Sequence, residues 1–104
     1  MQLSARSEQK ELMNYLSAYM NDPKLSVWHL MILTAILTLG YGQKEWSAIK
    51  VSRRKIMMLS HIKTLPTYHK YFKELQKFGY ITYRPSFHPG SRSEVNLNLK
   101  EVIS

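Results

Sequence analysis

Cysteine is absent from this chain of 104 residues, and its absence limits how the fold can be held together. Without thiols the chain has neither disulfides nor thiolate metal ligands, so it must fold by packing alone. Nothing therefore argues for an oxidising compartment. With 44% hydrophobic residues the chain can bury one core of ordinary size, which predicts a single domain spanning residues 1–104.

Segments typical of export or membrane insertion are also missing. The opening stretch, MQLSARSEQKEL, lacks the basic-then-apolar layout of a signal peptide. The longest apolar run, residues 27–39, is interrupted by His29, Thr34 and Thr38, and it is shorter than the roughly 20 residues that cross a bilayer. We therefore expect a cytoplasmic protein that does not act in a membrane.

Enzyme signatures are absent as well. The sequence has no glycine-rich phosphate loop, no Ser/His/Asp or Cys/His set, and no paired carboxylates that would tune a general acid. Four histidines raise a metal hypothesis, but His61 and His69 stand eight residues apart, without a carboxylate or cysteine at ligand spacing. We expect no catalysis, no cofactor and no metal, so the functional surface should be a binding surface.

Positive charge is abundant and unevenly placed. The formal net charge is +8 at pH 7, and residues 1–49 contribute nothing to it, because their basic and acidic side chains balance. The whole excess lies in residues 50–104. A polyanion is the natural partner for such a half, either nucleic acid or an anionic membrane surface. A merely solvated basic face is the alternative, although it would explain a chain-wide excess better than a local one.

Apolar residues recur at helical spacing between residues 5 and 20, and the turn sequence NDP follows. This pattern predicts an extra N-terminal helix over 5–20. Its apolar face carries Leu12, Leu16, Tyr19 and Met20. That face either folds back on the chain's own core or pairs with a second copy, and we favour a homodimer through this helix.

A second helix is predicted over 27–39. Ser26 is placed to cap its start, and Gly40 and Gly42 are placed to end it. The segment is apolar on nearly every face, which is typical of the buried centre of a small domain. The two tryptophans are assigned to the core and its lid: Trp28 and Trp46.

A short strand and two more helices should follow. The stretch SAIKV at 47–51 favours a strand, and Ser52 can cap a short helix that runs to about Ser60. Pro66 suits the first position of a further helix over 66–78, which ends at a glycine. Its inward face should carry Tyr68, Tyr71, Phe72, Leu75 and Phe78.

The last elements form a β-hairpin signature. Residues 80–84 (YITYR) and 94–99 (EVNLNL) alternate in polarity, and they flank a basic loop with two prolines and a glycine. The order of elements predicts a mainly α fold with a small β-hairpin wing, that is, a winged helix-turn-helix with an additional N-terminal helix. Its core would span residues 26–99, and residues 100–104 would form a tail.

The stretch LPTYHKYFKELQKFGYI resembles the recognition helix and first wing strand of bacterial winged-helix transcriptional regulators. They share an aliphatic or aromatic pair, a leucine four residues before a glycine, and then a hydrophobic strand. More narrowly, KIMMLSHIKTLPTYHKYFKELQKFGYITYRPSFHPGS resembles small winged-helix proteins of Bacteroides-type conjugative transposons and other mobile elements. The resemblance covers roughly residues 50–99, and no shared motif falls on the first helix.

This resemblance implies a protein that binds double-stranded DNA, with helix 66–78 in the major groove. The residues expected to read base edges are Thr67, His69 and Lys70. Those expected to contact the phosphate backbone are Arg53, Arg54, Lys55, Lys63, Thr64, Lys73 and Lys77. The wing at 84–94 would contribute Arg84, His88 and Arg92 to the adjacent backbone or minor groove. The implied role is transcriptional regulation or an accessory function in excision or mobilisation of the element.

Several readings compete with this one. Lysines on the last helix are also what a solvated face carries, whereas basic residues at 53–55 oppose the helix dipole and so favour a functional role. Tyr68, Tyr71 and Phe72 could stack on single-stranded bases, but their helical spacing favours the core. The main alternative function is a winged-helix module for protein–protein assembly, without DNA binding. Binding at a membrane surface is less consistent with the sequence, because no basic amphipathic helix dominates it.

Overall fold

A computed structural model describes residues 2–98, with side chains from residue 9 onward. This range forms four helices and three strands. In chain order they are α1 (Gln2–Met20), α2 (Val27–Gln43), β1 (Ile49–Val51), α3 (Arg53–Ser60), α4 (Leu65–Lys77), β2 (Ile81–Arg84) and β3 (Ser93–Leu97). The predicted mainly α architecture with a small β element is confirmed. The predicted tail at 100–104, and residue 99 at the end of the last predicted strand, lie outside the described residues.

The N-terminal helix α1 packs on the chain's own core through two tyrosines. Tyr15 and Tyr19 are both buried. The ring centroid of Tyr15 lies 5.4 Å from that of Trp46, and the centroid of Tyr19 lies 5.6 Å from that of Tyr80. The apolar face of α1 therefore covers the turn before β1 and the start of the hairpin.

One member of the predicted apolar face of α1 does not contact the core. Leu12 and Leu16 are partly buried against the core, as the helical spacing requires. Met20 is 73% exposed, so it does not pack on the core with the other residues of this face. It is the last residue of the helix, at the edge of the buried stripe, where the chain turns away into Asn21 and Asp22.

Helix α2 is the central element of the core. Ser26 caps its start: the Ser26 Oγ accepts a hydrogen bond from the backbone N–H of His29. The buried side is formed by Ile32, Leu33, Ala35, Ile36, Leu37 and Gly40. Thr34 and Thr38 are exposed, so α2 has one solvated side rather than being buried all round. None of the helices in residues 2–98 combines the length and the apolar composition that a membrane span requires.

The predicted end of α2 at residue 39 was wrong, because the helix continues through both glycines to Gln43. Lys44 ends it in the left-handed conformation, with φ of 59°. Gly40 serves packing instead of termination: a Cβ there would lie 2.6 Å from the carbonyl oxygen of Glu45 and 2.8 Å from Cδ1 of Ile49. Only a residue without a side chain allows the turn and β1 to approach the helix so closely.

Helices α3 and α4 are joined by a tight turn. The Oγ of Ser52 accepts from the backbone N–H of Lys55 at the start of α3, as predicted, and His61 ends this helix with φ of 62°. Helix α4 begins at Leu65, one residue earlier than predicted, so Pro66 occupies its second position. Because neither of the first two backbone N–H groups has an intrahelical acceptor, the proline costs no hydrogen bond there.

The three strands form one antiparallel sheet in the order β1-β3-β2. Strands β2 and β3 make the predicted hairpin, with Ile81 opposite Leu97 and Arg84 opposite Glu94. Strand β1 pairs with the other edge of β3, where Ile49 lies opposite Val95. All three strands are shorter than predicted, since the predicted ranges were 47–51, 80–84 and 94–99. Buried side chains from each strand join the helical core, so the sheet closes one side of the domain.

Candidate nucleic-acid interface

The outward face of α4 is basic. Lys70, Lys73 and Lys77 are exposed along this face, with His69 exposed beside them and Thr67 half-buried near the helix start. The opposite face is buried at the predicted positions Tyr68, Phe72 and Leu75. Helical spacing thus turns the rings into the core and leaves the cations in solvent.

Two predicted core rings of α4, Tyr71 and Phe78, lie at the edge of the core and are only half-buried. The ring of Tyr71 stacks on Trp28 at a centroid distance of 6.1 Å, and Nζ of Lys70 lies 5.1 Å from the Tyr71 centroid. Nζ of Lys24 lies 5.3 Å from the centroid of Phe78. Both cations are attracted by the electron-rich ring faces. The flank of the basic face is therefore aromatic.

The acidic residue of α4, Glu74, is engaged by a neighbouring helix. Its Oε1 lies 2.7 Å from Nε2 of His29, which is 4% exposed. The backbone N–H of Ser26 donates to Nδ1 of the same ring at 2.9 Å, so the neutral ring carries its proton on Nε2 and donates it to Glu74. Within the described part of the chain, the lysines of α4 have no carboxylate partner.

The start of α3 presents Arg53, Arg54 and Lys55 to solvent. The first turn of this helix contains no acidic residue. A helix N-terminus favours negative charge, so three cations in this turn oppose the dipole. Their placement therefore does not stabilise the helix. An anionic ligand bound at this turn would be attracted both by the cations and by the helix N-terminus.

The turn between α3 and α4 exposes Lys63 and Thr64. The Thr64 hydroxyl donates to Oγ1 of Thr67 at 2.8 Å. Because the Thr67 oxygen accepts this bond, the hydroxyl proton of Thr67 remains available to a ligand. The two threonines thus present one organised donor at the start of α4.

A shallow groove of about 620 Å³ lies between α3 and this turn. Its lining consists of Arg53, Arg54, Met57, Met58, His61, Ile62, Lys63 and Leu65. Met58 is 65% exposed and Leu65 is 44% exposed. The groove therefore combines cations with apolar surface, which sequence reasoning did not anticipate.

The loop predicted as a wing connects β2 to β3 through residues 85–92. Arg84, His88 and Arg92 are all exposed there. The carboxylate at the base of this loop, Glu94, accepts a hydrogen bond from Nζ of Lys50 at 2.7 Å. That hydrogen bond, together with the charges of Lys50 and Arg84, lowers the pKa of Glu94. The carboxylate therefore stays ionised, hydrogen-bonded to Lys50 and attracted to Arg84, which lies opposite it in the sheet.

Aromatic packing fixes the hairpin beside α4. The rings of Phe72 and Tyr83 meet edge to face, with centroids 5.1 Å apart. The hydroxyl of Tyr83 in turn donates to Oγ of Ser93 at 3.3 Å, at the start of β3. The hairpin that carries the basic loop is therefore held against the buried face of α4.

Two exposed rings near this surface were missed. Trp28 was assigned to the core, but it is 43% exposed, because it is the second residue of α2 and lies beyond the core, against Tyr71. Phe87, which had no assigned role, is 86% exposed in the loop after β2. Its position between two prolines at the tip of a hairpin could have predicted this exposure, since a side chain there lies away from the core.

Metal ligands do not converge in the described part of the chain. No group of three His, Cys, Asp or Glu side chains among these residues could hold a metal ion. His29 uses both ring nitrogens in hydrogen bonds to Ser26 and Glu74. The surface built from α3, α4 and the loop therefore has the chemistry of cations, hydroxyls and rings.

Comparison with models of known protein families, with curated proteins and with solved structures found no match to this chain. The resemblance to winged-helix proteins thus rests on the residues quoted above, and the family stays a prediction.

Proposed function

We propose that this chain is a winged-helix protein that binds double-stranded DNA, with α4 as the recognition helix in the major groove. One observation carries the proposal: the lysines of α4 form an exposed face, while the acid of the same helix is engaged by His29. A helix with an uncompensated basic face fits the anionic groove of a duplex.

The first two turns of α4 would read the bases. Lys70 can donate to the N7 and O6 acceptors of guanine, and His69 is exposed one position before it. Thr67 offers its free hydroxyl proton and its methyl group. Lys73 and Lys77 lie further along the helix, where phosphates are the expected partners.

The remaining cations would position the protein without reading sequence. Those of α3 and the turn are Arg53, Arg54, Lys55 and Lys63, with Thr64 beside them. The loop after β2 would place Arg84, His88 and Arg92 on the adjacent backbone or in the minor groove. Contacts of this kind supply affinity that depends strongly on salt.

The proposed biological role is transcriptional regulation in the cytoplasm, or accessory action in excision or mobilisation of a mobile element. The protein would act by binding DNA and not by catalysis. This role follows from the sequence resemblance, and the exposed basic surface is compatible with it.

The first test is fluorescence anisotropy of a labelled random duplex, titrated at about 50 and about 200 mM salt. With six phosphate contacts, we expect affinity to fall about a thousandfold between these conditions. The double variant Lys70→Ala, Lys73→Ala should bind more weakly, and its salt slope should be smaller by about one or two.

A matched control removes two positive charges far from α4. The variant Lys10→Ala, Lys44→Asn changes net charge equally, and asparagine tolerates the left-handed conformation at position 44. It should retain nearly all of the wild-type affinity. Absence of binding at low salt by the folded wild-type protein would refute the proposal. If the Lys70/Lys73 and Lys10/Lys44 variants lost equal affinity, binding would depend on net charge alone and not on α4.

A second candidate, a module for protein–protein assembly, is favoured by the groove beside α3. Exposed Met58 and Leu65 contribute apolar surface that phosphate contacts do not need. Arg54 and Lys63 line the same groove and would attract an acidic partner segment. If the chain is such a module and does not bind DNA, the folded wild-type protein should show no duplex binding near physiological salt.

A homodimer through α1 is proposed as the assembly state. An apolar groove of about 230 Å³ remains open beside α1, lined by Leu12, Leu16, Thr34, Leu37, Thr38 and Tyr41. Tyr41 is 45% exposed at its edge. Sedimentation should show a dimer that Tyr41→Asp converts to a folded monomer, and a monomeric wild type would refute this proposal.

A further inference from the structure

Phe87 is the most exposed large hydrophobic side chain in the described part of the chain. Its relative exposure is 86%, in the loop between β2 and β3. A phenylalanine normally contributes stability by leaving water, and here it contributes almost none. The ring is therefore available to a partner outside the fold.

Hydrogen bonds anchor the loop on both sides of this ring. The backbone N–H of Ser86 donates to Oγ of Ser93 at 3.2 Å, which ties the residue before Phe87 to the start of β3. The backbone N–H of Ser91 donates to the carbonyl of His88 at 3.2 Å. Gly90 has φ of +85°, so the turn that contains this bond has a proline and then a glycine at its centre, as in a type II turn.

Two arginines flank Phe87 along the chain. Arg84 and Arg92 are exposed at the two ends of the loop, and His88 follows the ring directly. Glu94, the carboxylate at the loop base, is paired with Lys50. The loop thus holds an apolar ring between two cations in a preorganised turn. Duplex DNA has the matching arrangement, because its stacked, largely apolar base pairs lie between two strands of phosphates.

We infer that Phe87 is a wedge that enters a base step from the minor groove of bound DNA, while Arg84 and Arg92 contact the flanking phosphates. Partial unstacking of that step kinks the duplex, by about 20–90° for wedges of this kind. Flexible pyrimidine–purine steps accept the ring at the lowest deformation cost, so they are the preferred insertion sites. This inference rests on the proposed DNA binding and adds bending and step preference to it.

Bending is measured by energy transfer between dyes at the two ends of a duplex of about 30 base pairs that contains a central TA step. Saturating wild-type protein should raise the transfer efficiency. A 2-aminopurine beside the TA step should brighten as it unstacks. Phe87→Leu keeps an apolar wedge and should preserve both signals, whereas Phe87→Ala should abolish both and still bind the duplex in anisotropy.

The matched control is Met20→Ala, which removes another strongly exposed apolar side chain, on α1. It should bend DNA like the wild type. If the wild type binds the duplex but gives no change in transfer, or if Phe87→Ala bends as well as the wild type, the wedge is refuted while the proposed function survives. Absence of duplex binding by the wild type would refute both.

An exposed phenylalanine beside cations is also suited to insertion into an anionic bilayer. A vesicle-binding measurement separates this alternative from DNA insertion. Flotation with vesicles of phosphatidylcholine and phosphatidylserine should leave the protein unbound at physiological salt. Vesicle binding that Phe87→Ala abolishes, in the absence of DNA bending, would overturn the wedge and assign the loop to a membrane surface.

Discussion

His29 Nε2 and Glu74 Oε1 lie 2.7 Å apart and join the start of α2 to the third turn of α4. The same histidine accepts the backbone N–H of Ser26 through Nδ1, so one ring completes the cap of α2 and holds the acid of α4. Its ring also meets Tyr71 edge to face, with centroids 4.9 Å apart. The buried imidazole thus sets the position of the proposed recognition helix and keeps its basic face free of a competing carboxylate.

Replacing His29 should therefore cost more stability than replacing its partner. His29→Phe leaves the Ser26 N–H without its acceptor and Glu74 without its donor, so we expect a loss of about 1–3 kcal/mol in the free energy of unfolding. Glu74→Gln keeps an oxygen that accepts the Nε2 proton and should cost less than about 1 kcal/mol. Urea denaturation followed by circular dichroism gives both values. Equal losses in the two variants would contradict the assigned direction of these hydrogen bonds.

The two glycines of α2 should respond oppositely to alanine. Gly40→Ala would place a Cβ 2.6 Å from the backbone oxygen of Glu45, and the resulting shift should cost about 1–3 kcal/mol. A Cβ added at Gly42 would have no neighbouring atom within 4 Å, so Gly42→Ala should stabilise the helix by about 0.5–1 kcal/mol. Thermal unfolding compares the two variants directly. A stabilised Gly40→Ala protein would show that the close approach of β1 is not required.

Prediction of this fold from sequence succeeded where the signal was local. The Ser26 and Ser52 caps, and the inward positions of Tyr68, Phe72 and Leu75, follow from helical spacing and capping chemistry alone. The end of α2 could not be predicted in this way, because a glycine can either end a helix or allow another segment to pack closely against it. At Gly40 the deciding contact comes from Glu45 and Ile49, which a helix pattern does not contain.

The sequence predicted which charged residues the candidate site would expose, but not the contacts between distant residues that position them. Exposure of the lysines on α4 follows from their spacing, whereas the pairing of Glu74 with His29 joins residues 45 positions apart. Trp28 was misassigned because an apolar residue in an apolar helix gives no sign that it lies beyond the core. The pairing of β1 with β3 is similarly a long-range outcome, since three residues of strand do not specify their partner.

Alkaline pH should destabilise the protein through its buried tyrosines. Burial raises the pKa of Tyr19, and the neighbouring Tyr15 and Tyr80 raise it further. The raised pKa means that the folded state keeps the proton while the unfolded state, with its usual pKa of about 10, loses it. Stability is therefore fully retained below pH 10 and falls above it, by about 1.4 kcal/mol per pH unit for each such tyrosine.

The Tyr19→Phe variant isolates this effect. The hydroxyl of Tyr19 is buried and has no hydrogen-bond partner among the described residues, so its removal should not destabilise the protein at pH 7 and can stabilise it by about 1 kcal/mol. Above pH 10 the variant should lose stability less steeply than the wild type. Urea denaturation at pH 7, 10 and 11 tests both points, and parallel pH profiles for the two proteins would contradict the raised pKa of Tyr19.

Arg54 should oppose stability and support binding at the same time. It is exposed in the first turn of α3, where no acidic residue balances the helix dipole. Arg54→Glu places a favourable charge there and should raise the free energy of unfolding by about 0.3–1 kcal/mol. The same variant sets a carboxylate against the proposed phosphate contact, so duplex affinity at low salt should fall more than tenfold. Lys10→Glu makes the same change in charge on α1 and should alter duplex affinity only slightly. A variant at position 54 that is more stable and binds DNA as well as the wild type would remove α3 from the proposed interface, and it would leave the groove beside Met58 without a role in DNA binding.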